Sequence, residues 1–141
     1  MMTNDILNWI SYQNLEIANF ESNELYYKCL SDNAAGDGKI NVLSWIIENN
    51  LTNFDELTCA SAALSGRLDV LKWLRNKYNC EWDEETSIRA LEGEHINLFE
   101  WLIEEKCPID INECIEISNS MDFFKRYEIL DIINSKKNKL Y

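Results

Sequence analysis

Arg67-Leu68-Asp69-Val70-Leu71-Lys72-Trp73 has a counterpart 28 residues before it, Lys39-Ile40-Asn41-Val42-Leu43-Ser44-Trp45. A second lies 28 residues after it, His95-Ile96-Asn97-Leu98-Phe99-Glu100-Trp101. Within the middle copy, Leu68, Val70, Leu71 and Leu74 form a wide apolar stripe at helical period. Ile40, Val42, Leu43 and Ile46 repeat it before, and Ile96, Leu98, Phe99 and Leu102 after. A fixed period of this length is the mark of a repeat array, in which one small unit buries its apolar face by stacking on the next.

Between these stretches lies a second, smaller helical pattern. It runs from Phe54-Asp55-Glu56 to Ser65-Gly66 in one unit and from Trp82-Asp83-Glu84 to Gly93-Glu94 in the next. Asp55, Asp83 and Asp110 each stand where a helix N-cap is wanted, with Phe54, Trp82 and Ile109 just before them. An aspartate there accepts from the free N–H groups of the first turn, and the preceding apolar residue staples the chain's approach. Glu56, Glu84 and Glu85 follow in the first turn, where the helix dipole favours negative charge. Small residues dominate the first of these helices (Ala60, Ser61, Ala62, Ala63), so it can lie close to its neighbours. Each unit therefore reads as a short small-residue helix, a tight turn and a longer apolar helix. The chain is expected to be all-α.

The ends are less regular. Asp5-Ile6-Leu7-Asn8-Trp9-Ile10 copies the pattern 36 residues before Trp45. Part of the excess is assigned to Asp32-Asn33-Ala34-Ala35-Gly36-Asp37-Gly38, read as a turn about four residues longer than its counterpart. Met121-Asp122-Phe123-Phe124-Lys125-Arg126 repeats the theme with Arg126 in the tryptophan's place. The expected organisation is a single domain over 1–141, with a degenerate first unit at 1–21 and full units at 22–53, 54–81 and 82–109. A degenerate cap at 110–133 and a frayed basic tail at 134–141 complete it.

Bulk composition fits. The 141 residues are one domain's worth of chain, 46% hydrophobic with five tryptophans, which argues against disorder. One proline and four glycines argue against a turn-rich β protein. Net charge is −12 and uneven: residues 81–116 hold 12 acidic side chains against Arg89 and Lys106. A field this negative repels nucleic acid and anionic membranes and favours basic partners. Five cysteines, no basic-then-apolar leader at Met1 to Asp5, and no apolar stretch long enough to span a bilayer imply reduced thiols in the cytoplasm or nucleus.

With that register, the units resemble ankyrin repeats. Ala62-Ala63-Leu64-Ser65-Gly66-Arg67-Leu68-Asp69-Val70-Leu71-Lys72-Trp73-Leu74 is similar to the ankyrin core, where two alanines end the inner helix and a Gly-His turn leads to the outer one. His95 takes the histidine's place in the third unit. Lys72-Trp73-Leu74 followed by Cys80-Glu81-Trp82-Asp83 is most like the short, Trp-containing repeats of large DNA viruses and protists. The likeness covers residues 38–112. The Thr-Pro-Leu-His signature is replaced by Leu57-Thr58-Cys59-Ala60, and the period is 28 rather than about 33. The resemblance therefore implies an ankyrin-like helix-turn-helix solenoid whose inter-repeat fingers are shortened to plain loops. A virus-like origin would place it in host cytoplasm.

Catalysis finds no foundation in the sequence. The single histidine, His95, reads as a turn residue bonding neighbouring backbone, and no Ser/His or Cys/His constellation or glycine-rich phosphate loop occurs. Cys80 and Cys107 share one repeat position, too far apart for a disulfide or a zinc site. No cofactor and no metal is expected. Trp45, Trp73 and Trp101 are assigned to packing between consecutive units. The function expected is a non-catalytic interaction module for a basic or amphipathic protein, binding neither nucleic acid nor membrane, as a monomer or weak homo-oligomer. The resemblance places contacts at the starts of inner helices: Glu24 and Tyr26, then Glu56 and Thr58, then Glu84, Glu85 and Arg89, with Trp82 at the edge. A self-assembling structural subunit and an acidic decoy of a nucleic-acid-binding protein are the alternatives.

Overall fold

The computed structural model of the protein describes residues 2–13 and 23–136. These residues are all-helical, with no strand among them. The helices are α1 (Asn4–Ser11), α2 (Asn23–Asp37), α3 (Ile40–Glu48), α4 (Glu56–Leu64), α5 (Leu68–Tyr78), α6 (Glu84–Glu92), α7 (Ile96–Glu104), α8 (Ile111–Ser118) and α9 (Phe123–Lys136).

They pack in two rows. Helices α2, α4, α6 and α8 stack in sequence, and α3, α5, α7 and α9 each lie against the inner helix that precedes them. Neighbouring inner helices run parallel. Lys28, in the first half of α2, meets Asp55 and Thr58 at the start of α4. Gly36, near the end of α2, meets Ser61 and Ser65 at the end of α4.

The caps form where the sequence places them. The side chain of Asp55 accepts from the N–H groups of Leu57 and Thr58, that of Asp83 from Glu85, and that of Asp110 from Glu113. At the other end of α2, α4 and α6 the chain turns through one left-handed residue: Gly38 (φ +74°), Gly66 (φ +69°) and Glu94 (φ +58°). The N–H of Lys39, Arg67 and His95 then closes the helix on the carbonyl of Ala34, Ala62 and Ala90, each at 2.8 Å. Such a 6→1 bond satisfies a helix-end carbonyl and fixes the reversal.

That equivalence revises the first unit. Asp32 to Asp37 are the last turns of α2, and the reversal at Gly38-Lys39 is no longer than at Gly66-Arg67. Gly36 stays helical despite its low propensity, because the Ser65 hydroxyl sits 3.3 Å from where a Cβ would stand. The excess spacing instead falls before Lys28, the residue equivalent to Glu56, and includes the extra first turn of α2. Helix α9 also continues to Lys136, past the expected start of the tail at Asn134, and Lys136 is ion-paired with Glu100 and Glu104 of α7.

The core lies between the rows. Leu30, Ala34, Ala35, Cys59, Ala62, Ala63, Ala90 and Leu91 come from the inner row, all fully buried. Val42, Leu43, Ile46, Val70, Leu71, Leu74, Phe99 and Leu102 come from the outer row, also fully buried. Alanine on the inner helices leaves room for parallel helices to approach, while the outer helices supply the bulk.

The tryptophans pack inside units rather than between them in their ring contacts. Trp73 lies 6.0 Å from Phe54, Trp101 lies 6.0 Å from Trp82, and Trp45 lies 6.3 Å from Tyr27. Each outer tryptophan thus covers an aromatic side chain at the start of its own inner helix. Edge-on and tilted pairs at this separation are the favoured aromatic geometry.

Candidate functional site

The inner-helix starts form one edge of the stack, and the expected contact residues divide there. Glu24 and Glu84 are exposed, and Glu56 is half-buried. Glu113 of α8 is also exposed, at the third helical position where α4 and α6 carry the buried Thr58 and Thr86, and the sequence reading left it out. Its capping-box spacing from Asp110 was the available signal. Glu24 stands a turn further out than its partners, because α2 begins one turn earlier than α4. The place equivalent to Glu56 is taken in α2 by Lys28.

Lys28 breaks the acidic row. Its ammonium sits 2.5 Å from Asp32 and 2.7 Å from Asp55, and it donates to the Thr58 hydroxyl at 3.2 Å. Burial disfavours the charge, but the hydrogen bonds to the two carboxylates outweigh it and hold the pKa above the ordinary lysine value. Thr58 itself is fully buried. Its hydroxyl accepts from the Asp55 N–H and donates to Asp32, so it completes the cap and has no surface to offer a partner. In α6 the equivalent Thr86 is also buried, and its hydroxyl has no hydrogen-bond partner among the described residues.

Trp82 and Arg89 are likewise occupied. Trp82 is half-buried between Trp101 and the Arg75 guanidinium, which lies 4.1 Å from the indole centroid. Arg89 bridges Glu85 at 2.7 Å and Glu92 at 3.0 Å along α6. Tyr26 is half-buried with its ring edge-on to Tyr27 at 5.2 Å. The charged chemistry accessible at this edge is therefore carboxylate, with Glu24, Glu84 and Glu113 the most open, and the exposed Leu25 and Leu57 stand among them.

His95 and Arg67 perform one task in successive units. Arg67 Nε donates to the Gly36 carbonyl at 3.1 Å, and the His95 ring meets the Leu64 carbonyl through Nε2 at 3.0 Å. A carbonyl can only accept, so Nε2 carries the proton. Each side chain reaches back 31 residues and ties its turn to the end of the preceding inner helix. A Cβ on Gly93 would stand 2.3 Å from the Leu64 carbonyl oxygen, and one on Gly66 would meet the His95 ring at 2.6 Å. The expected turn role of His95 is what the structure shows.

The thiols are placed by the same periodicity. Cys80 donates to the Asp55 carbonyl at 3.4 Å and Cys107 to the Asp83 carbonyl at 3.6 Å, so each linker is tied to the preceding cap. Burial pushes the thiols of Cys107 and Cys114 up to about 12. The hydrogen bond with Cys80, together with burial, holds Cys59 well above the ordinary thiol value. Such thiols are poor nucleophiles near neutrality. No group of three metal-ligating side chains converges among the described residues. No described helix is long and apolar enough to cross a membrane.

A second feature was not anticipated from the sequence. Phe123, Phe124 and Tyr127 project from α9 at 73%, 82% and 67% exposure. Comparison with protein-family profiles, with curated proteins and with solved structures returns no match.

Proposed function

We propose that the chain is a non-catalytic protein–protein interaction module, an ankyrin-like α-solenoid that presents an acidic edge to a basic or amphipathic partner. The observation that carries this reading is the parallel stacking of α2, α4, α6 and α8. It gathers the first turns of these helices at one edge, with the carboxylates of Glu56, Glu84, Glu85 and Glu113 among them and Glu24 one turn beyond. The turn geometry repeated at Gly38, Gly66 and Glu94, and the plain linkers between units, are what a shortened ankyrin-like repeat requires.

A charge-reversed variant tests the assignment. Glu84→Lys with Glu85→Lys leaves the Asp83 cap intact and removes the most acidic stretch of the edge. Captured proteins that bind the native chain, elute at moderate salt and are lost from the variant would identify the partner. An unchanged set of bound proteins would sink the assignment. Trp82 is left out of that variant, because its packing on Trp101 and Arg75 makes it a stability residue.

A further inference from the structure

Helix α9 departs from the repeat in a way that the fold does not require. It begins 27 residues after α7, the same step that separates the caps Asp83 and Asp110. By that step Glu128, not Arg126, takes the place of Trp101. Phe124 falls where Asn41, Asp69 and Asn97 stand, and these are exposed in all three earlier units. Tyr127 falls where Ser44, Lys72 and Glu100 stand, a polar position throughout. Conversely, the buried pair Leu98-Phe99 is replaced by Lys125-Arg126. The last helix carries its aromatic side chains on the solvent face and holds the stack through Ile129, Ile132 and Ile133 instead.

The rings are arranged about a shallow groove. Phe123 lies edge-on to Phe124 at 5.8 Å and 81°, and stacks on Tyr127 at 6.3 Å and 25°. Glu128 and Asp131 complete the lining, and the groove encloses about 540 Å³. Neither carboxylate has an ion-pair partner among the described residues. Lys125 turns away to Glu94 at 2.7 Å.

Aromatic faces beside two unpaired carboxylates suit a cation, and above all a planar one. A guanidinium stacks on a ring through its face and donates in a fork to carboxylate oxygens. An aliphatic ligand would leave both carboxylates desolvated without a partner.

We propose that the groove of Phe123, Phe124, Tyr127, Glu128 and Asp131 is a docking site for an arginine side chain of a basic protein segment. It lies on the outer row, away from the inner-helix edge, and does not depend on that edge being the main interface. Arginine, not lysine, is the favoured residue, since the ammonium of lysine lacks the planar face.

The test uses a labelled peptide with two arginines in a glycine–alanine context, and its isostere with citrulline at both positions. Binding to the full chain is read by fluorescence anisotropy at about 0.15 M salt, where exposed charges more than roughly 8 Å apart are screened. The arginine peptide is expected to bind at least about fivefold more tightly than the citrulline peptide, the scale of one partly desolvated cation–π contact. Phe124→Ala with Tyr127→Ala, which alters no charge, should remove that preference, and Glu128→Gln with Asp131→Asn should do the same. The Glu84→Lys, Glu85→Lys variant should keep it, so failure at either surface is read separately. Circular dichroism confirms that the exposed substitutions leave the fold intact. Equal binding of the two peptides, no binding of the arginine peptide up to millimolar concentration, or a preference that survives loss of the rings would each overturn the proposal. So would a concentration-dependent dimer abolished by Phe124→Ala, Tyr127→Ala, which would make a second copy the occupant.

Discussion

The middle pairs, α4–α5 and α6–α7, and the last pair, α8–α9, are built on one plan and solve it differently. In the middle pairs the third and fourth residues of the outer helix are buried apolar groups, Val70-Leu71 and Leu98-Phe99. The turn is latched backward by Arg67 or His95, and a tryptophan covers the start of the inner helix. In α9 the corresponding residues are Lys125, Arg126 and Glu128, burial is left to Ile129, Ile132 and Ile133 further along, and ion pairs from Lys125 to Glu94 and from Lys136 to α7 add to it. Burial is short-ranged and strong, whereas exposed ion pairs contribute little and are screened by salt. The middle of the molecule is therefore the stable scaffold. The last helix is freed to carry a surface that the scaffold does not need.

The sharpest way to break this comparison is to empty the middle core. Phe99→Ala should lower unfolding free energy by about 4 kcal/mol in urea titration. Ile129→Ala, in the last pair, should cost about 3 kcal/mol and show first as faster amide exchange in α8 and α9. Equal loss of protection in α4 to α7 would show that the two regions unfold as one unit.

The turn latch comes next. Gly93→Ala forces a Cβ against the Leu64 carbonyl and should cost about 2 kcal/mol. His95→Ala removes one hydrogen bond and should cost about 1 kcal/mol. A glycine substitution no worse than the histidine one would mean that the turn yields where the structure shows it tight.

Lys28 offers a test by pH. Its folded pKa lies above the ordinary lysine value of 10.5, so its stabilisation is fully present below 10.5 and fades as pH rises through the folded value. Lys28→Met should cost about 1 kcal/mol at pH 8, because it leaves Asp32 and Asp55 without their partner. The gap between native and variant urea midpoints should close above pH 10.5. A gap that is constant from pH 8 to about 11.5 would assign the effect to packing instead. The smallest change is expected at the last pair: Lys125→Ala should barely move the urea midpoint and become undetectable at high salt.

Much of the scaffold was legible because it is periodic. The aspartate caps at 55, 83 and 110, the apolar stripe and the His95 turn follow from spacing alone, since one helical unit copied three times must present the same groups at the same places. Legibility failed where two physical requirements compete at one residue. Asp32 to Gly38 has the composition of a loop, yet close packing on α4 makes most of it helix. Thr58, at a first turn, suits either a surface contact or a buried cap, and only the proximity of Lys28 and Asp32 decides for the cap. Glu113 shares its register with Thr58 and Thr86, yet it is exposed where they are buried.

The sequence by itself determined the helices, their caps, their order and the acidic balance, because these depend on contacts within a turn or on simple composition. The tertiary structure alone decided which side chains were consumed by the fold and which were left to solvent. Phe54 and Phe124 are equally apolar on paper. The first is covered by Trp73, while the second stands on a face that nothing described in the chain covers, because burial is settled by the neighbour that arrives and not by the residue that waits for it.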